Sequence, residues 1–314
     1  MPDPSRPLLS VALCTYNGAA HLREQLDSVL AQTGVDLELV VVDDGSTDAT
    51  AAILAEYAAR DARIGCHANT RNLGPTASFE RAMGLCTGTF IAPCDQDDIW
   101  DRSKLALLLA AIGEADLAYC DSGYIDAAGA SLQRRLSDDT EMFEGTRPIA
   151  FLFANSVSGH ASLVRRDLFE QVRPFPSGAW HDWWLALCAA GRRGVRYLDR
   201  PLVQFRRHDS AFSPMGKSSG GRSRSAEASR EWLEQRHLLM QSYAATRLRD
   251  SEVARDLAPA LRVAIDEGRT AALARLLWRH RRALPAWKGW AVVDTLKWQL
   301  RFAKKVRRAR RTTG

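Results

Sequence analysis

Three carboxylates fall within four residues in Cys94-Asp95-Gln96-Asp97-Asp98-Ile99-Trp100. Held that close they repel one another, so the stretch needs either a divalent cation among its side chains or full solvation. Hard oxygen ligands of this kind suit Mg²⁺ or Mn²⁺, which keep bound waters and accept substrate phosphates as further ligands. A solvated acidic turn ahead of a helix, whose N-terminus favours negative charge, fits the same residues equally well. A second acidic pair lies in Val40-Val41-Val42-Asp43-Asp44-Gly45-Ser46-Thr47-Asp48. Carboxylates there can accept hydrogen bonds from a ribose or a base N–H, and turn chemistry with helix capping accounts for them as well. In Cys14-Thr15-Tyr16-Asn17-Gly18 the Tyr16 ring can stack on a base and Thr15 can bond it, while Asn-Gly alone explains a strand-to-helix turn. No G-x-G-x-x-G follows this segment and no G-x-x-x-x-G-K-[ST] occurs, which argues against a dinucleotide cofactor and a P-loop.

These residues need a scaffold that brings them together. Residues 9–15 form a short apolar run bounded by Pro7 and Asn17-Gly18 and read as a buried strand. Residues 19–32 carry Leu22, Leu26, Val29 and Leu30 at helical spacing. A second buried strand is expected at 37–42, then a helix to about 60, capped by Thr47 or Asp48. Further strands are expected at 63–66, 89–93 and 116–120, with helices at 76–85 and from Ser103. Strand and helix alternate with short connections, which predicts an α/β fold with a mostly parallel sheet and helices on both faces. Ligands bind such sheets beyond the carboxyl ends of the strands. Tyr16, Asp43, Asp44, Asp95 and Asp97 all sit where a strand runs out.

Composition narrows the class. The chain has 314 residues, 46% hydrophobic and 25% charged, values that exclude a disordered, collagen-like or disulfide-stapled protein. No apolar run reaches the roughly 18 residues a spanning helix requires. Residues 1–7 lack the apolar core of a signal peptide, so a cytoplasmic location is expected. Cys14, Cys66, Cys86, Cys94, Cys120 and Cys188 are scattered without metal spacing and read as small hydrophobes in a reducing compartment. Residues 1–215 hold 20 Lys and Arg against 28 Asp and Glu, whereas residues 216–314 hold 23 against 9. The basic excess belongs to the C-terminal third alone, so nucleic acid is not an expected partner. The small polar stretch from Lys217 to Ser225 marks a linker over residues 216–229, between residues 8–215 and a mainly helical region at 230–314. A helical wheel over 290–308 groups Leu296, Trp298, Leu300, Phe302 and Val306 on one side against Lys297, Arg301, Lys304 and Arg308. Such a helix suits an anionic membrane surface, or packs on the rest of the chain with a solvated basic tail.

The order T-Y-N-G, V-V-D-D-G-S-T-D, N-x-R-N-x-G from Asn69 to Gly74, then D-Q-D-D-I-W, resembles the family 2 glycosyltransferases over roughly residues 8–215. The D-Q-D-D-I-W form is similar to a branch rich in bacterial rhamnosyltransferases. The resemblance implies the GT-A nucleotide-sugar-binding fold, a nucleotide-sugar donor, a Mg or Mn cation and inversion at the anomeric carbon. It implies that Thr15 and Tyr16 flank the donor base, that Asp44 reads the pyrimidine, and that Arg71 and Asn72 lie near the base. Asp95 and Asp97 match the D-x-D pair, Asp97 as the direct metal ligand and Asp95 facing ribose or a metal-bound water.

In Trp180-His181-Asp182-Trp183-Trp184 the family pattern is Glu-Asp, with the aspartate as catalytic base; here His181 replaces the glutamate. Asp182 keeps the role the chemistry asks for, since an acceptor hydroxyl is a weak nucleophile until a carboxylate takes its proton. Trp183 reads as an acceptor-sugar platform or as core. Ser158-Gly159-His160-Ala161-Ser162 resembles the acceptor-side segment, where Gly159 lets substrate approach. His208 is expected to complete the metal site or touch the diphosphate, and Arg206 or Arg207 to pair with diphosphate oxygens. No Q-x-x-R-W follows, so transfer of a single sugar is expected. The leading expectation is rhamnose from dTDP-rhamnose, passed to a cell-surface polysaccharide or lipid-linked glycan acceptor. The alternatives are a UDP-hexose-dependent enzyme of the same family and a non-catalytic nucleotide-sugar-binding scaffold.

Overall fold

The computed structural model describes residues 8–207, 225–281 and 291–310. In chain order the elements are β1 (Leu8–Thr15), α1 (Leu22–Leu30), β2 (Asp36–Asp43), α2 (Thr50–Arg60), β3 (Ile64–Ala68), α3 (Pro75–Leu85), β4 (Phe90–Cys94), the two-residue β5 (Ile99–Trp100) and α4 (Lys104–Ile112). There follow β6 (Leu117–Ile125), β7 (Ser131–Arg135), α5 (Leu136–Asp139), α6 (Pro148–Phe153), a 3₁₀ turn (Gly159–Ala161), β8 (Ser162–Arg165), α7 (Arg166–Val172), α8 (His181–Gly191) and β9 (Val195–Arg206). The C-terminal part is helical: α9 (Ala226–Ala244), α10 (Ser251–Glu267), α11 (Ala271–Arg279) and α12 (Ala291–Ala309).

The strands form one sheet in the order β3-β2-β1-β4-β8-β6-β9-β5, with β7 added to β6. The β3-β2-β1-β4 half is parallel throughout, as the strand-helix alternation requires. Antiparallel pairing enters where β8 fits between β4 and β6, and β6 and β9 return to parallel. The expected α/β class, with helices on both faces and a helical C-terminal part, is present.

Alternation along the strands divides the core into two layers. Leu9, Val11 and Leu13 of β1 and Leu37, Leu39 and Val41 of β2 face a layer covered by α1, α2 and α4. Ala12, Val40 and Val42 face the opposite layer, covered by α3, α6 and α8 and extended by the C-terminal helices. Burial on both faces explains why these strands read as continuous apolar runs.

The α12 face expected to meet lipid is corrected here. Trp298, Phe302 and Val306 are buried. Phe302 packs its ring against Phe153 at 5.7 Å and against Trp232 of α9 at 5.2 Å. At about 100° per residue, Leu296 and Leu300 turn the other way, and they are 47% and 71% exposed. The aromatic stripe therefore belongs to the core, and two leucines among basic residues remain outside. Among the described residues no helix is long and apolar enough to cross a membrane.

Candidate active site

Register brings the chemistry-bearing ends together. Thr15 of β1 pairs with Asp43 of β2, and Leu13 pairs with Cys94 of β4, so three adjacent parallel strands end side by side. Gln96 then ties two of the loops. Its Oε1 accepts from Thr15 Oγ1 at 2.7 Å and from the Tyr16 amide at 2.8 Å, and its Nε2 donates to the Tyr16 carbonyl at 3.2 Å. A Cβ at Gly18 would stand 2.2 Å from Gln96 Oε1, which is why the turn needs glycine there. Asn17, at positive φ, accepts from the Thr47 amide through Oδ1 at 2.8 Å and donates its own amide to Ser46 Oγ at 2.9 Å. The Tyr16 ring remains half exposed above this latch.

Asp44, the expected pyrimidine reader, is buried and already well bonded. Its Oδ1 accepts from Asn69 Nδ2 at 2.6 Å and from the Leu73 amide at 2.8 Å, and its Oδ2 from the Gly74 amide at 2.9 Å. It thereby fixes the loop that carries Arg71 and Asn72, both exposed. Asp43 closes its own turn by accepting from Ser46 Oγ at 2.5 Å.

The acidic stretch after β4 divides by burial. Asp98 is fully buried, while Asp95 and Asp97 are intermediate. His160, carried by the 3₁₀ turn before β8, points Nδ1 at Asp95 Oδ2 (3.3 Å) and at Asp98 Oδ2 (3.4 Å). One ligand atom each from Asp95, Asp98 and His160 lies within 4.8 Å of the others. Burial pushes the Asp98 carboxyl well above the ordinary carboxylate range. Burial would also raise Asp95, but the hydrogen bond and charge of His160 outweigh it and hold Asp95 below its usual value. Burial draws the His160 imidazole down, and the two aspartates more than reverse that. Among the described residues Asp98 Oδ2 has no hydrogen-bond partner. An orphaned, buried carboxylate oxygen beside a second carboxylate and an imidazole is a donor set that fits a divalent cation. This set contains Asp95 of the expected pair together with Asp98, while Asp97 lies on the same turn. His160, expected on the acceptor side, belongs to the acidic cluster. His208 lies outside the described residues.

Two buried cations brace the cluster, and neither carries a local sequence signal. Lys104 opens α4 with its ammonium donating to the His160 carbonyl and lying 3.0 Å from the centre of the Trp100 ring; burial lowers it to about 8. Arg206 ends β9, donates its amide to Asp98 Oδ1 at 3.0 Å and its Nε to the Asp97 carbonyl at 2.9 Å, and pairs with Glu24. Its guanidinium is thus shared among the Asp97 carbonyl, the carbonyls of Asp126 and Ala127, and Glu24. Arg207, the other expected diphosphate partner, lies 5.0 Å over the Tyr124 ring.

Asp182 sits in the first turn of α8 and accepts from the Trp183 amide at 2.6 Å. Burial raises its carboxyl above the ordinary value. Gly159 lies against it: a Cβ there would come within 3.6 Å of Asp182 Cβ. The Gly159-His160 dipeptide therefore touches Asp182 with one residue and the acidic cluster with the next. Trp183 is not available as a sugar platform. It is buried, donates Nε1 to the Phe151 carbonyl and lies under Arg236.

Comparison with known proteins gives this arrangement its family. An uncharacterized glycosyltransferase of Haemophilus influenzae is 33% identical over 220 residues, 66% of this chain and 68% of that protein, so the likeness spans about two thirds of the relative. The crystal structure of S. aureus TarS 1-349 in complex with UDP-GlcNAc has a TM-score of 0.62 at 18% identity and covers 96% of this chain and 89% of that one. The mannosyltransferase PcManGT from Pyrobaculum calidifontis, in complex with GDP-Man and Mn²⁺, has a TM-score of 0.58 at 18% identity, covering 100% and 90%. These two neighbours share the fold, the GT-A arrangement expected from the motifs. Residues 10–173 match the profile of glycosyl transferase family 2, more than half of the chain and the very segment whose strand ends hold the aspartates, and the chain accordingly belongs to that family and is a glycosyltransferase.

Proposed function

We propose that the protein is an inverting, divalent-cation-dependent glycosyltransferase that moves one sugar from a nucleotide-sugar donor to a glycan or lipid-linked glycan acceptor on the way to a surface polysaccharide. The observation that carries the reading is the junction at Gly159-His160, where Asp182 and the Asp95–Asp98–His160 cluster meet at one end of the sheet. Tyr16 and Thr15 receive the base, and Asp44 holds the loop of Arg71 and Asn72 beside it. Asp95, Asp98 and His160, with Asp97 on the same turn, would hold Mg²⁺ or Mn²⁺, which supplies positive charge against the leaving diphosphate. Arg207 supports the same end. Asp182 takes the proton of the acceptor hydroxyl as its oxygen attacks the anomeric carbon, which inverts through an oxocarbenium-like state.

For the donor, the D-Q-D-D-I-W form favours a deoxyhexose such as rhamnose from dTDP-rhamnose. A thermal-shift panel of dTDP-rhamnose, UDP-glucose, UDP-GlcNAc and GDP-mannose, each with and without Mn²⁺, tests donor and cation together. A donor at about 100 times its Kd stabilises the fold by about 2.7 kcal/mol, a shift of several degrees, and the largest rise is expected for dTDP-rhamnose with Mn²⁺. A flat panel would sink the reading. A larger rise with another nucleotide sugar would move the donor and keep the chemistry.

The acceptor reading extends to location: a cytoplasmic enzyme held at the inner face of a membrane by α12. What supports this is Leu296 and Leu300 exposed among Lys297, Arg301, Lys304 and Arg307, a basic face with two apolar anchors. Sedimentation with phosphatidylglycerol vesicles, in preference to phosphatidylcholine vesicles or duplex DNA, is the expected result. It should weaken with salt and with Leu300→Glu; equal sedimentation with neutral vesicles would remove the anionic preference, and no sedimentation with either would remove the membrane from the account.

A further inference from the structure

His181 stands where the family pattern has a glutamate, and its surroundings are unusual for a core residue. It is 7% exposed, yet neither Nδ1 nor Nε2 has a hydrogen-bond partner among the described residues. Its ring stacks on Phe79 of α3, centroids 3.9 Å apart and planes 23° apart. On another side, a Cβ at Gly159 would fall 2.6 Å from Nε2, so glycine leaves the ring the space it uses. A packing role alone would be served by phenylalanine, which makes the same stack without leaving polar atoms unpaired; each buried unpaired group costs about 1–3 kcal/mol. Burial also holds the imidazole below its ordinary pKa, against the pull of Asp182 and Asp95. A neutral ring has one donor and one acceptor nitrogen, the pairing a sugar hydroxyl satisfies.

Its location selects which sugar. His181 meets both halves of the site through one neighbour: a Cβ on Gly159 would stand 2.6 Å from His181 Nε2 and 3.6 Å from Asp182 Cβ, and the next residue, His160, belongs to the acidic cluster. In an inverting displacement the attacking oxygen and the leaving oxygen stand on opposite faces of the anomeric carbon. A residue between the base and the diphosphate end therefore faces the glycosyl group in transit. We propose that His181 is a specificity-determining residue that hydrogen-bonds a hydroxyl of the transferred glycosyl group, an inference that rests on the sugar-transfer reading above. The Phe79 stack fixes the plane of the ring, and Gly159 gives its Nε2 edge room.

The test needs no acceptor. The Kd of the best-binding nucleotide sugar of the panel is compared with that of its own nucleoside diphosphate, by calorimetry, in wild type, His181→Phe and His181→Asn. Phe keeps the stack and removes both nitrogens; Asn keeps a donor and an acceptor. In His181→Phe the ratio of the two constants, sugar-bearing over bare diphosphate, is expected to rise about 5- to 10-fold, with the bare diphosphate moving less than about 2-fold. His181→Asn should recover part of the ratio, and it carries the test alone should the Phe variant fail to fold. An unchanged ratio overturns the assignment, and so does a parallel loss for the bare diphosphate, which would make the ring a support for the pocket. If wild type binds no member of the panel, the sugar-transfer reading itself falls and this one with it, a result distinct from an unchanged ratio.

Discussion

Asp182→Asn is expected to lower kcat for sugar transfer by about 10²- to 10⁴-fold while the Kd of the nucleoside diphosphate stays within about 2-fold. The amide has the size of the carboxylate and can keep the Trp183 amide contact through its carbonyl oxygen, so fold and donor site persist. What it lacks is the capacity to take a proton from the acceptor hydroxyl. The pH profile adds an independent sign. Burial raises the Asp182 carboxyl, so the ionised, proton-accepting form is lost at a higher pH than for an exposed aspartate, whose pKa is about 3.9. The acidic limb of kcat/KM should therefore lie above that value in wild type and vanish from the residual rate of the variant. A variant that keeps a tenth of wild-type turnover would move the base elsewhere. Loss of diphosphate binding in parallel would mean that Asp182 shapes the pocket, and would leave the base unassigned.

The half of the site that was legible in sequence is the half built from adjacent parallel strands. Thr15, Asp44 and Asp95 are each announced by an apolar run that stops at a polar turn, and β1, β2 and β4 pair side by side, so local pattern sufficed. What the pattern could not give is long-range partnership. His160 meets Asp95 across 65 residues of chain, and the antiparallel β8 that delivers it has only four residues, too few for a periodic signal. Lys104 looks like any lysine in the first turn of a helix until β8 closes over it. Arg206 and Arg207 are indistinguishable in sequence, and strand alternation decides that the first turns its side chain inward, where Nε donates to the Asp97 carbonyl. The same limit applied to α12: at 3.6 residues per turn Leu296 and Trp298 cannot share a face, and burial separated them. Asp44 shows a subtler version. Its side chain was expected to await a base, and it already accepts three bonds from Asn69, Leu73 and Gly74, so it holds the loop that carries Arg71 and Asn72.

Asp98→Asn should move stability and activity in opposite directions. The metal-free protein is expected to melt about 2–6 °C higher than wild type, because the substitution removes a buried charge whose Oδ2 has no hydrogen-bond partner among the described residues and which burial already disfavours. The folded-state pKa of Asp98 is raised, so at neutral pH its ionised form weakens the fold, and a neutral isostere relieves that cost. Asn can still accept from the Arg206 amide as Asp98 Oδ1 does at 3.0 Å, so the turn keeps its anchor. The same change takes one of the three donors from the set formed with Asp95 and His160. The thermal shift produced by Mn²⁺ should accordingly disappear, and transfer should fall about 10²- to 10³-fold. A residue kept for packing would give the reverse: lower melting and an unchanged response to the cation. Differential scanning calorimetry of both proteins, with EDTA and with Mn²⁺, separates the two, and a variant that still responds to Mn²⁺ as wild type does would remove Asp98 from the cation site. A carboxylate that weakens the fold has its explanation in the reaction; fully buried, with His160 Nδ1 3.4 Å away and its pKa raised by burial, Asp98 is not explained by stability.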